Sequence, residues 1–330
     1  MKKFLLITTL ILVLAYLGIT YFFSGLILNT PHRDIPTVYQ MNKDRWNWDL
    51  DSIVQTLGPK TDIEFTSPHD GITLKGWLFA PQNPDCGVVF AHGYSVNRAN
   101  MLKYTPIFRD CNCALLLYDH RGHGESDEAH GSGGWHEGTD LVAATAVLRE
   151  KTGLPMEKIG WYGESWGGAT VIQRAVQAEE KPAWIVAESP YADWYSAVME
   201  RGLKDYGEGL KILTPGAFAW TGVRNDLTFS EVSPLKMIPD LEVPLLLFHS
   251  QSDTLTYPEQ SDRLAAAAPP DLITYYPLDW GAWHAHNIIR RPEEYRTMVL
   301  DFVGDFCPDP DSVAAFAPPV EEFGTEGSEE

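Results

Sequence analysis

A serine flanked by glycines is the residue in this chain for which the surrounding sequence most strongly indicates chemistry. Ser165 lies in the segment Gly-Glu-Ser-Trp-Gly-Gly, residues 163–168, which matches the pattern G-x-S-x-G. A short apolar run, 158–162, precedes the segment, and a helical pattern, 169–176, follows it. A strand, a sharp turn and a helix in this order present a serine hydroxyl at the turn, and glycines are needed beside it because the turn is strained. The sequence therefore predicts that Ser165 is a nucleophile.

Asp253 and His284 are the residues predicted to activate this serine, which needs a base for its proton and a third group to orient that base. Asp253 follows the apolar strand pattern 245–250, and His284 lies in a loop after the pattern 273–276. Active sites of parallel sheets lie beyond the carboxyl ends of the strands, so both side chains are expected near Ser165. The chain order of the three residues is one of the known orders of a Ser-His-Asp triad. We predict that His284 is the general base and that Asp253 orients it.

Two neighbouring residues are alternatives to this assignment. His286 lies two residues after His284 and would replace it if the loop had a different register. Asp193 also follows a strand pattern and is an alternative acid, although we expect it to cap the helix that begins after it. Glu164 and Asp279 are expected to be structural.

Two backbone amides are candidates for an oxyanion hole, which stabilises the negative charge that develops in acyl transfer. One is the N–H of Trp166, directly after the serine. The other is the N–H of Tyr94, in the loop after the strand pattern 87–91, where Gly93 lets the backbone come close. His92 is expected to pack or to form a hydrogen bond rather than to catalyse.

The segment 119–126, Asp-His-Arg-Gly-His-Gly-Glu-Ser, has a superficial similarity to a metal-binding sequence. Its histidines lack a partner cluster at metal-ligand spacing, and its glycines indicate a tight loop. We therefore predict no metal, and nothing in the sequence indicates an organic cofactor.

Strand and helix patterns alternate over the middle of the chain. Two strand patterns, 63–66 and 73–79, are joined by a hairpin turn signal at 69–71. Uninterrupted apolar strand patterns follow at 87–91, 114–119, 159–163, 184–188, 245–250 and 273–276. Helical patterns lie between and after them at 97–108, 138–152, 169–177, 258–267 and 293–306. Strands without alternation have two buried faces, so the sequence predicts an α/β fold with a mostly parallel central sheet and helices on both faces.

Other segments depart from this alternation. Residues 29–60 are polar and rich in Trp, with a short helix predicted at 50–57, and indicate a membrane-proximal segment before a domain at 61–307. Residues 194–236 combine aromatic residues with glycines and predict a short, mostly helical lid insertion over the sheet. The chain from 308 to 330 is acidic and poor in bulky residues, so a disordered tail is expected.

The first 28 residues indicate a membrane anchor. Lys2 and Lys3 precede an uncharged apolar run, 4–28, which is long enough to cross a bilayer. The length of the run, and the weakness of its one cleavage candidate at Ser24-Gly25, favour an uncleaved anchor over a signal peptide. The two lysines should stay in the cytoplasm, which places the catalytic domain outside it, although three basic residues shortly after the run weaken this orientation signal.

The charge of the chain limits its partners. The formal net charge is −20 and the pI is about 4.8. Nucleic acids and anionic lipid surfaces both attract basic proteins, so neither is expected to bind by electrostatics. We interpret the excess of acidic residues as a solvated surface that keeps the domain soluble.

Four cysteines can pair in three ways. Cys86 begins one apolar strand pattern, and Cys111 and Cys113 lie at the start of another. If those strands are neighbours, a bridge between their starts is sterically feasible, and an extracytoplasmic location would permit it. Buried free thiols remain the alternative, for these three cysteines and for Cys307.

Together these motifs resemble the α/β-hydrolase superfamily over roughly residues 61–306. The chain is most similar to the monoglyceride-lipase and serine-aminopeptidase-like branch and to bacterial membrane-anchored members near it. The matching pieces are His92-Gly93-Tyr94, the segment 119–126, the segment 163–168, Ser252-Asp253, His284-Ala285 and Glu293-Glu294-Tyr295. The spacing between the last two favours His284 over His286. The set is specific for the fold and the triad and poorly specific for the substrate.

Two residues depart from the pattern of that branch. Trp166 stands where Met or Leu is frequent, which implies a narrower pocket. Tyr257 stands where a proline usually follows the acid, with Pro258 next, which implies a local change in the loop.

The expected activity is that of a membrane-anchored serine hydrolase that cleaves carboxylic esters through an acyl-enzyme intermediate. The aromatic residues of the lid suit an apolar, lipid-like acyl ester as the substrate. The same machinery cleaves amides, so an aminopeptidase or amidase is the alternative. A non-catalytic binding module with the same fold is a third hypothesis, which the presence of all three triad residues disfavours.

Overall fold

Among residues 1–307, which the computed structural model describes, eight strands form one sheet. The strands are β1 (Lys60–Thr66), β2 (Thr73–Phe79), β3 (Cys86–Ala91), β4 (Cys113–Tyr118), β5 (Ile159–Glu164), β6 (Ile185–Glu188), β7 (Leu245–Ser250) and β8 (Ile273–Leu278). Their order across the sheet is β1-β2-β4-β3-β5-β6-β7-β8. Only β2 runs antiparallel to its neighbours, β1 and β4, within these described strands. The predicted mostly parallel sheet and the β1–β2 hairpin are confirmed.

Helices cover both faces of the sheet, as predicted. The α-helices are α1 (Lys2–Leu28), α2 (Ile35–Trp46), α3 (Leu50–Thr56), α4 (Trp135–Thr152), α5 (Trp166–Gln177), α6 (Trp194–Tyr206), α7 (Thr214–Asn225), α8 (Pro234–Met237), α9 (Glu259–Ala267), α10 (Asn287–Arg290) and α11 (Pro292–Val303). The predicted helix at 97–108 is a run of 3-10 turns, Arg98–Ile107. Pro106 accounts for part of this difference, because proline cannot donate the hydrogen bond that a regular α-helix requires.

Two apolar clusters, one on each face of the sheet, form the core. Successive residues of β3 alternate between them: Val88 and Phe90 lie in one cluster, and Val89 and Ala91 lie in the other. Every residue of β3 is buried, which is the burial expected of a central parallel strand. The uninterrupted apolar pattern of this strand therefore follows from helices packing on both of its sides.

The segment between α1 and the sheet packs into the first of these clusters. Val38 of α2 and Leu50 of α3 are buried there, together with Trp48 between the two helices. The predicted short helix at 50–57 corresponds to α3, whereas α2 was not predicted. The side chain of Asp34 caps α2 by accepting a hydrogen bond from the N–H of Thr37.

Two disulfides join the cysteines, between Cys86 and Cys113 and between Cys111 and Cys307. The first follows from the register of the sheet, because Cys86 and Cys113 are paired residues at the starts of the parallel neighbours β3 and β4. The second joins the segment before β4 to the end of the described chain, 196 residues later.

The segment predicted as a lid, 194–236, lies between β6 and β7. It contains α6, a 3-10 segment at Glu208–Ile212, α7 and the short α8. Phe218 and Phe229 of the lid share an apolar cluster with Trp166, at the start of α5, and with Leu28, at the end of α1. The lid therefore packs on the element that follows Ser165. The tail predicted at 308–330 lies outside the described residues.

The paired cysteines give a direct chemical prediction. The full chain, denatured without reductant, should show no reactive thiol, and reduction should release all four. Cys307→Ser should expose one thiol, that of Cys111, and lower the free energy of unfolding by about 2–4 kcal/mol, because the broken bridge closes a long loop. Thiol titration and denaturant unfolding measure both effects. Four reactive thiols in the unreduced denatured chain would contradict the pairing.

Candidate active site

Ser165 occupies a strained turn between β5 and α5. Its φ is 52° and its ψ is −110°, a conformation that residues with a side chain rarely adopt. A Cβ on Gly163 would collide with the carbonyl of Gly167, and a Cβ on Gly167 would collide with the carbonyl of Ala91. At this turn, segments of backbone pass so close to each other that a Cβ does not fit between them, and we call this close approach the backbone crossing. Both glycines of the motif are therefore required. Ser165 remains partly exposed at the carboxyl end of β5.

Asp253 and His284 are brought together, as the sequence predicts. The Nδ1 atom of His284 lies 2.7 Å from Oδ2 of Asp253, and both residues are buried. The other carboxylate oxygen of Asp253 accepts hydrogen bonds from the N–H groups of Leu255, at 2.9 Å, and Thr256, at 3.0 Å. Asp253 is therefore fixed by its own loop, and the contact through Nδ1 leaves Nε2 of His284 as the nitrogen available for proton transfer.

His249 is a second histidine in contact with Asp253, and it was not predicted. Its Nε2 atom lies 3.2 Å from Oδ2 of Asp253 and 2.9 Å from the carbonyl oxygen of Thr256, while Nδ1 lies 2.6 Å from Oγ of Ser261. Its place at the end of β7, four residues before Asp253, is the only signal that the sequence contains.

The electrostatics of this pair favour a charged carboxylate and a basic histidine. Burial acts to raise the pKa of Asp253, but the charge of His284 and the hydrogen bonds from His249 and His284 outweigh it and hold the pKa well below its usual range. Burial likewise acts to lower the pKa of His284, and the charge of Asp253 and their hydrogen bond raise it above the usual value of a histidine. Asp253 thus stays ionised and increases the basicity of His284.

Hydrogen bonds of the next residue, Ala285, fix the loop that carries His284. Ala285 has a positive φ of 54°, and its carbonyl oxygen accepts a hydrogen bond from Nζ of Lys103 at 3.2 Å and lies 3.4 Å from the hydroxyl of Tyr104. Its N–H donates to Oγ of Ser189 at 3.3 Å. These contacts fix a strained turn directly after His284.

Glu164 links the same groups to the serine turn. Its carboxylate lies 2.7 Å from Nζ of Lys103 and accepts hydrogen bonds from Asn100, at 2.8 Å, and from the hydroxyl of Tyr104, at 3.0 Å. Lys103 and Glu164 are both buried. Since Glu164 immediately precedes Ser165, one buried network supports the serine and the histidine loop together, which agrees with a structural role for Glu164.

The loop with Tyr94 lies beside the serine. A Cβ on Gly93 would lie 3.4 Å from Cβ of Ser165, so this loop passes within van der Waals distance of the turn. The ring of Tyr94 stacks on that of Trp166, with centroids 5.6 Å apart and 16° between the planes. Tyr94 and Trp166, the two predicted amide donors, are thus neighbours that flank Ser165.

His92 and the segment 119–126 have structural contacts. The N–H of His120 donates to Nε2 of His92 at 2.9 Å, and burial holds the pKa of both histidines well below the usual value. Arg121 forms two hydrogen bonds with the carboxylate of Asp140, at 2.8 and 2.9 Å. Within residues 1–307, no group of three or more His, Cys, Asp or Glu side chains is arranged to hold a metal ion.

The two alternatives to the assignment have other partners. Asp193 caps α6 by accepting a hydrogen bond from the N–H of Ser196 at 2.7 Å, as expected, and pairs with Arg263 at 2.9 Å. His286 is buried against Trp46, with ring centroids 3.9 Å apart, and burial lowers its pKa far below the usual value. Neither residue is placed to replace Asp253 or His284.

The segment after α1 also contributes to the site, which was not predicted. Arg33 donates to the carbonyl oxygen and to Oγ of Ser95, at 2.9 and 3.0 Å, directly after Tyr94. Trp46, at the end of α2, stacks on Trp283, which precedes His284. The segment 29–60 therefore braces both the loop with Tyr94 and the loop with His284.

Comparison with known proteins identifies the fold. The sequence model of the serine aminopeptidase family S33 matches residues 82–233. The esterase Pf2001 of Pyrococcus furiosus, 24% identical, superposes with a TM-score of 0.61 over 78% of this chain and 95% of its own. The chain therefore has the fold of the α/β hydrolases and is similar to them in sequence.

Two further relatives extend this comparison. The α/β hydrolase GrgF of a Penicillium species has a TM-score of 0.57 and is 19% identical, over 76% of this chain and 99% of its own. YqkD of Bacillus subtilis, an uncharacterized protein, is 29% identical over 92% of this chain and 97% of its own length. Because this match covers nearly all of both chains, it includes the segment 29–60 that precedes the sheet.

The buried pair of Lys103 and Glu164 gives a prediction about stability. Lys103→Met should lower the free energy of unfolding by about 3–5 kcal/mol, because it leaves a buried carboxylate without its cation. The double variant Lys103→Met, Glu164→Gln should recover part of this loss. Denaturant unfolding of the three proteins measures the effect. A loss below about 1 kcal/mol in Lys103→Met would show that the pair does not support the site.

Proposed function

We propose that this protein is a serine hydrolase that cleaves carboxylic esters at the outer face of the membrane. The observation that carries the proposal is the 2.7 Å contact between His284 and Asp253 at the end of the sheet where Ser165 occupies its strained turn. A nucleophile, a base made more basic by a carboxylate, and two amides beside the nucleophile are the parts that acyl transfer requires.

The proposed reaction has two steps. Oγ of Ser165 attacks the ester carbonyl while Nε2 of His284 takes the hydroxyl proton, and the amides of Tyr94 and Trp166 stabilise the oxyanion. Collapse of this intermediate breaks the bond to the alcohol, which leaves with the proton from His284, and the acyl group stays on Ser165. Water then attacks the acyl-enzyme while His284 takes its proton, and the acid is released as His284 returns that proton to Oγ of Ser165. Asp253 holds the tautomer of His284 and stabilises its charged form.

Esters are the favoured substrates. Pf2001, which shares the fold, is an esterase, and aromatic side chains of the lid pack on Trp166 beside the nucleophile. Ring pairs such as Trp166 with Trp194, 5.8 Å apart and both buried, make the packing between the lid and α5 apolar, which is the surrounding that an acyl chain would need. Because the matched family is one of serine aminopeptidases, an amide is the second candidate substrate.

The location is proposed from two observations. α1 has 27 residues, is apolar enough to cross a membrane and is mostly exposed in the structure. The two disulfides are typical of proteins outside the reducing cytoplasm. With Lys2 and Lys3 on the cytoplasmic side, α1 would anchor a catalytic domain that lies outside the cytoplasm.

Ester hydrolysis by the full chain in detergent tests the proposal. We expect turnover of p-nitrophenyl esters from acetate to palmitate, with an optimum that measures the acyl pocket, and loss of turnover in Ser165→Ala. A fluorophosphonate should label the native chain and not the variant. Aminoacyl p-nitroanilides in the same assay distinguish the amidase. Labelling of Ser165 without turnover of either class would remove the ester claim, and absence of labelling would favour a binding module.

Asp253→Asn tests the role of the acid. We expect kcat to fall by about 10⁴-fold, because the carboxylate no longer holds the tautomer of His284. The acid limb of kcat/KM should lie above pH 6.5 in the native enzyme, since proton uptake by His284 abolishes the base and its pKa is raised. In any residual activity of the variant this limb should move to lower pH, because the charge that raises the pKa is gone.

The matched control is Asp193→Asn, which keeps a side chain able to cap α6. This variant should retain the kcat and the pH profile of the native enzyme. Loss of activity in Asp193→Asn together with full activity in Asp253→Asn would make Asp193 the acid.

A further inference from the structure

The lid packs along the second half of α1. The residues of α1 that face the lid recur at four-residue spacing and are Tyr16, Thr20, Ser24 and Leu28. The hydroxyl of Tyr16 donates to the carbonyl oxygen of Ile212 at 3.1 Å. Nη1 of Arg224 donates to Oγ of Ser24 at 2.8 Å. The contact partners advance together along both segments, so α7 lies beside α1 and runs in the same direction.

The contact between α1 and α7 is close and well packed. A Cβ on Gly216 would lie 2.6 Å from Cγ2 of Thr20, so the two helices approach at a position where only glycine fits. Tyr21 packs edge to face against Trp220, with centroids 5.4 Å apart, and lies under the guanidinium of Arg224. Small residues at the contact and polar side chains across it are the features that hold helices together in membranes.

The position of Tyr16 in α1 sets the depth of this contact in a bilayer. The hydrocarbon core is about 30 Å thick and requires about 20 helical residues. The part of α1 before Tyr16, Lys2–Ala15, is about 21 Å long at 1.5 Å per residue, and tilt would shorten its span further. If α1 spans the membrane, Tyr16 therefore lies inside the hydrocarbon, and the lid segment that contacts it lies there as well.

The surface of the lid at this depth suits lipid. Residues 214–223 of α7 contain no charged side chain. Ile212 is 72% exposed and Val223 is 75% exposed, although both are apolar. Lys211 and Glu208, at the tip, pair with each other at 2.5 Å, which reduces the charge that this tip presents. An exposed apolar surface that continues a membrane helix indicates contact with the membrane.

The C-terminal end of α1 packs close to Ser165. Leu28, the last residue of α1, is fully buried in the cluster that contains Trp166 and Trp194. The carbonyl oxygen of Leu28 accepts a hydrogen bond from the N–H of Gly131, and a Cβ on Gly131 would lie 2.9 Å from the ring of Trp166. The anchor helix thus ends against the residue that follows Ser165.

We propose that the lid tip, 206–213, and α7 are seated in the outer half of the bilayer beside α1, and that the substrate is the acyl ester of a membrane lipid that reaches Ser165 from the bilayer. The choice of substrate rests on the proposed function, whereas the seating of the lid does not. This arrangement gives an apolar acyl chain a path to the nucleophile without passage through water.

Depth-dependent quenching tests the seating of the lid without any activity. All four native cysteines are paired, so one introduced cysteine can be labelled with the fluorophore NBD. We expect lipids with a nitroxide on the acyl chain to quench NBD at Ile212→Cys in vesicles containing the full chain. NBD at Lys151→Cys, an exposed site in the last turn of α4, should not be quenched, and NBD at Val13→Cys on α1 should be. Ile212→Cys without quenching overturns the seating, and so does Val13→Cys without quenching.

Hydrolysis from the bilayer tests the substrate class. Ile212→Glu should lower turnover of 4-methylumbelliferyl oleate in vesicles by about tenfold or more, because a charge opposes insertion of the tip. It should leave turnover of soluble p-nitrophenyl acetate unchanged, and the matched variant Ile212→Leu should retain both rates. Equal loss on both substrates, or no loss on either, would overturn access from the bilayer. Inactivity of the native chain on both substrates would instead reject the proposed function and leave the quenching result to decide the seating.

Discussion

The active site is built on a backbone crossing that leaves no space for side chains. Gly163 and Gly167 lie so close to neighbouring carbonyl groups that a Cβ on either would collide with backbone. Such a collision cannot be relieved by a change of rotamer, because no flexible side chain is involved. The crossing holds Ser165 in a strained conformation and makes Trp166 the first residue of α5. The positions of the proposed nucleophile, Ser165, and of one proposed oxyanion donor, Trp166, therefore follow from the same constraint.

Buried carboxylates at the ends of two neighbouring strands join this crossing to the histidine loop. Glu164, at the end of β5, binds Lys103, which also binds the carbonyl oxygen of Ala285. Glu188, at the end of β6, accepts hydrogen bonds from Asn287 at 2.7 Å and from Tyr295 at 2.8 Å, and its carbonyl oxygen accepts the N–H of Ser165 at 2.7 Å. Burial raises the pKa of Glu188 to about 7, although the hydrogen bonds from Tyr295 and Asn287 act to lower it.

Much of the fold and the central residues of the site could be predicted because their signals are local. Apolar runs separated by helical patterns indicate a parallel sheet, and the G-x-S-x-G segment marks one particular turn of it. Asp253 and His284 were found because each follows a strand whose carboxyl end lies at the site. These signals depend on residues that are close together in the chain, which is where sequence patterns are informative.

The contacts that brace the site could not be predicted because they join distant parts of the chain. Lys103 and Ala285 are 182 residues apart, and the bridge of Cys111 spans 196 residues. The spacing of apolar residues within one segment contains no information about contacts between such distant residues. α2 was missed for a different reason, since its residues are too mixed in polarity to form an apolar stripe, although Asp34 followed by Pro36 is a helix-start signal that would have found it.

The bridge between Cys111 and Cys307 closes a covalent ring that contains Ser165, Asp253, His284 and the whole lid. A protease that cuts the backbone once inside this ring, for example at the exposed tip of the lid, would leave a two-chain molecule rather than two fragments. Ser165 and His284 would then remain joined through sulfur, and the domain would stay attached to α1. If the domain lies outside the cytoplasm, as proposed, the ring would keep the site assembled after a protease has cut an exposed loop once.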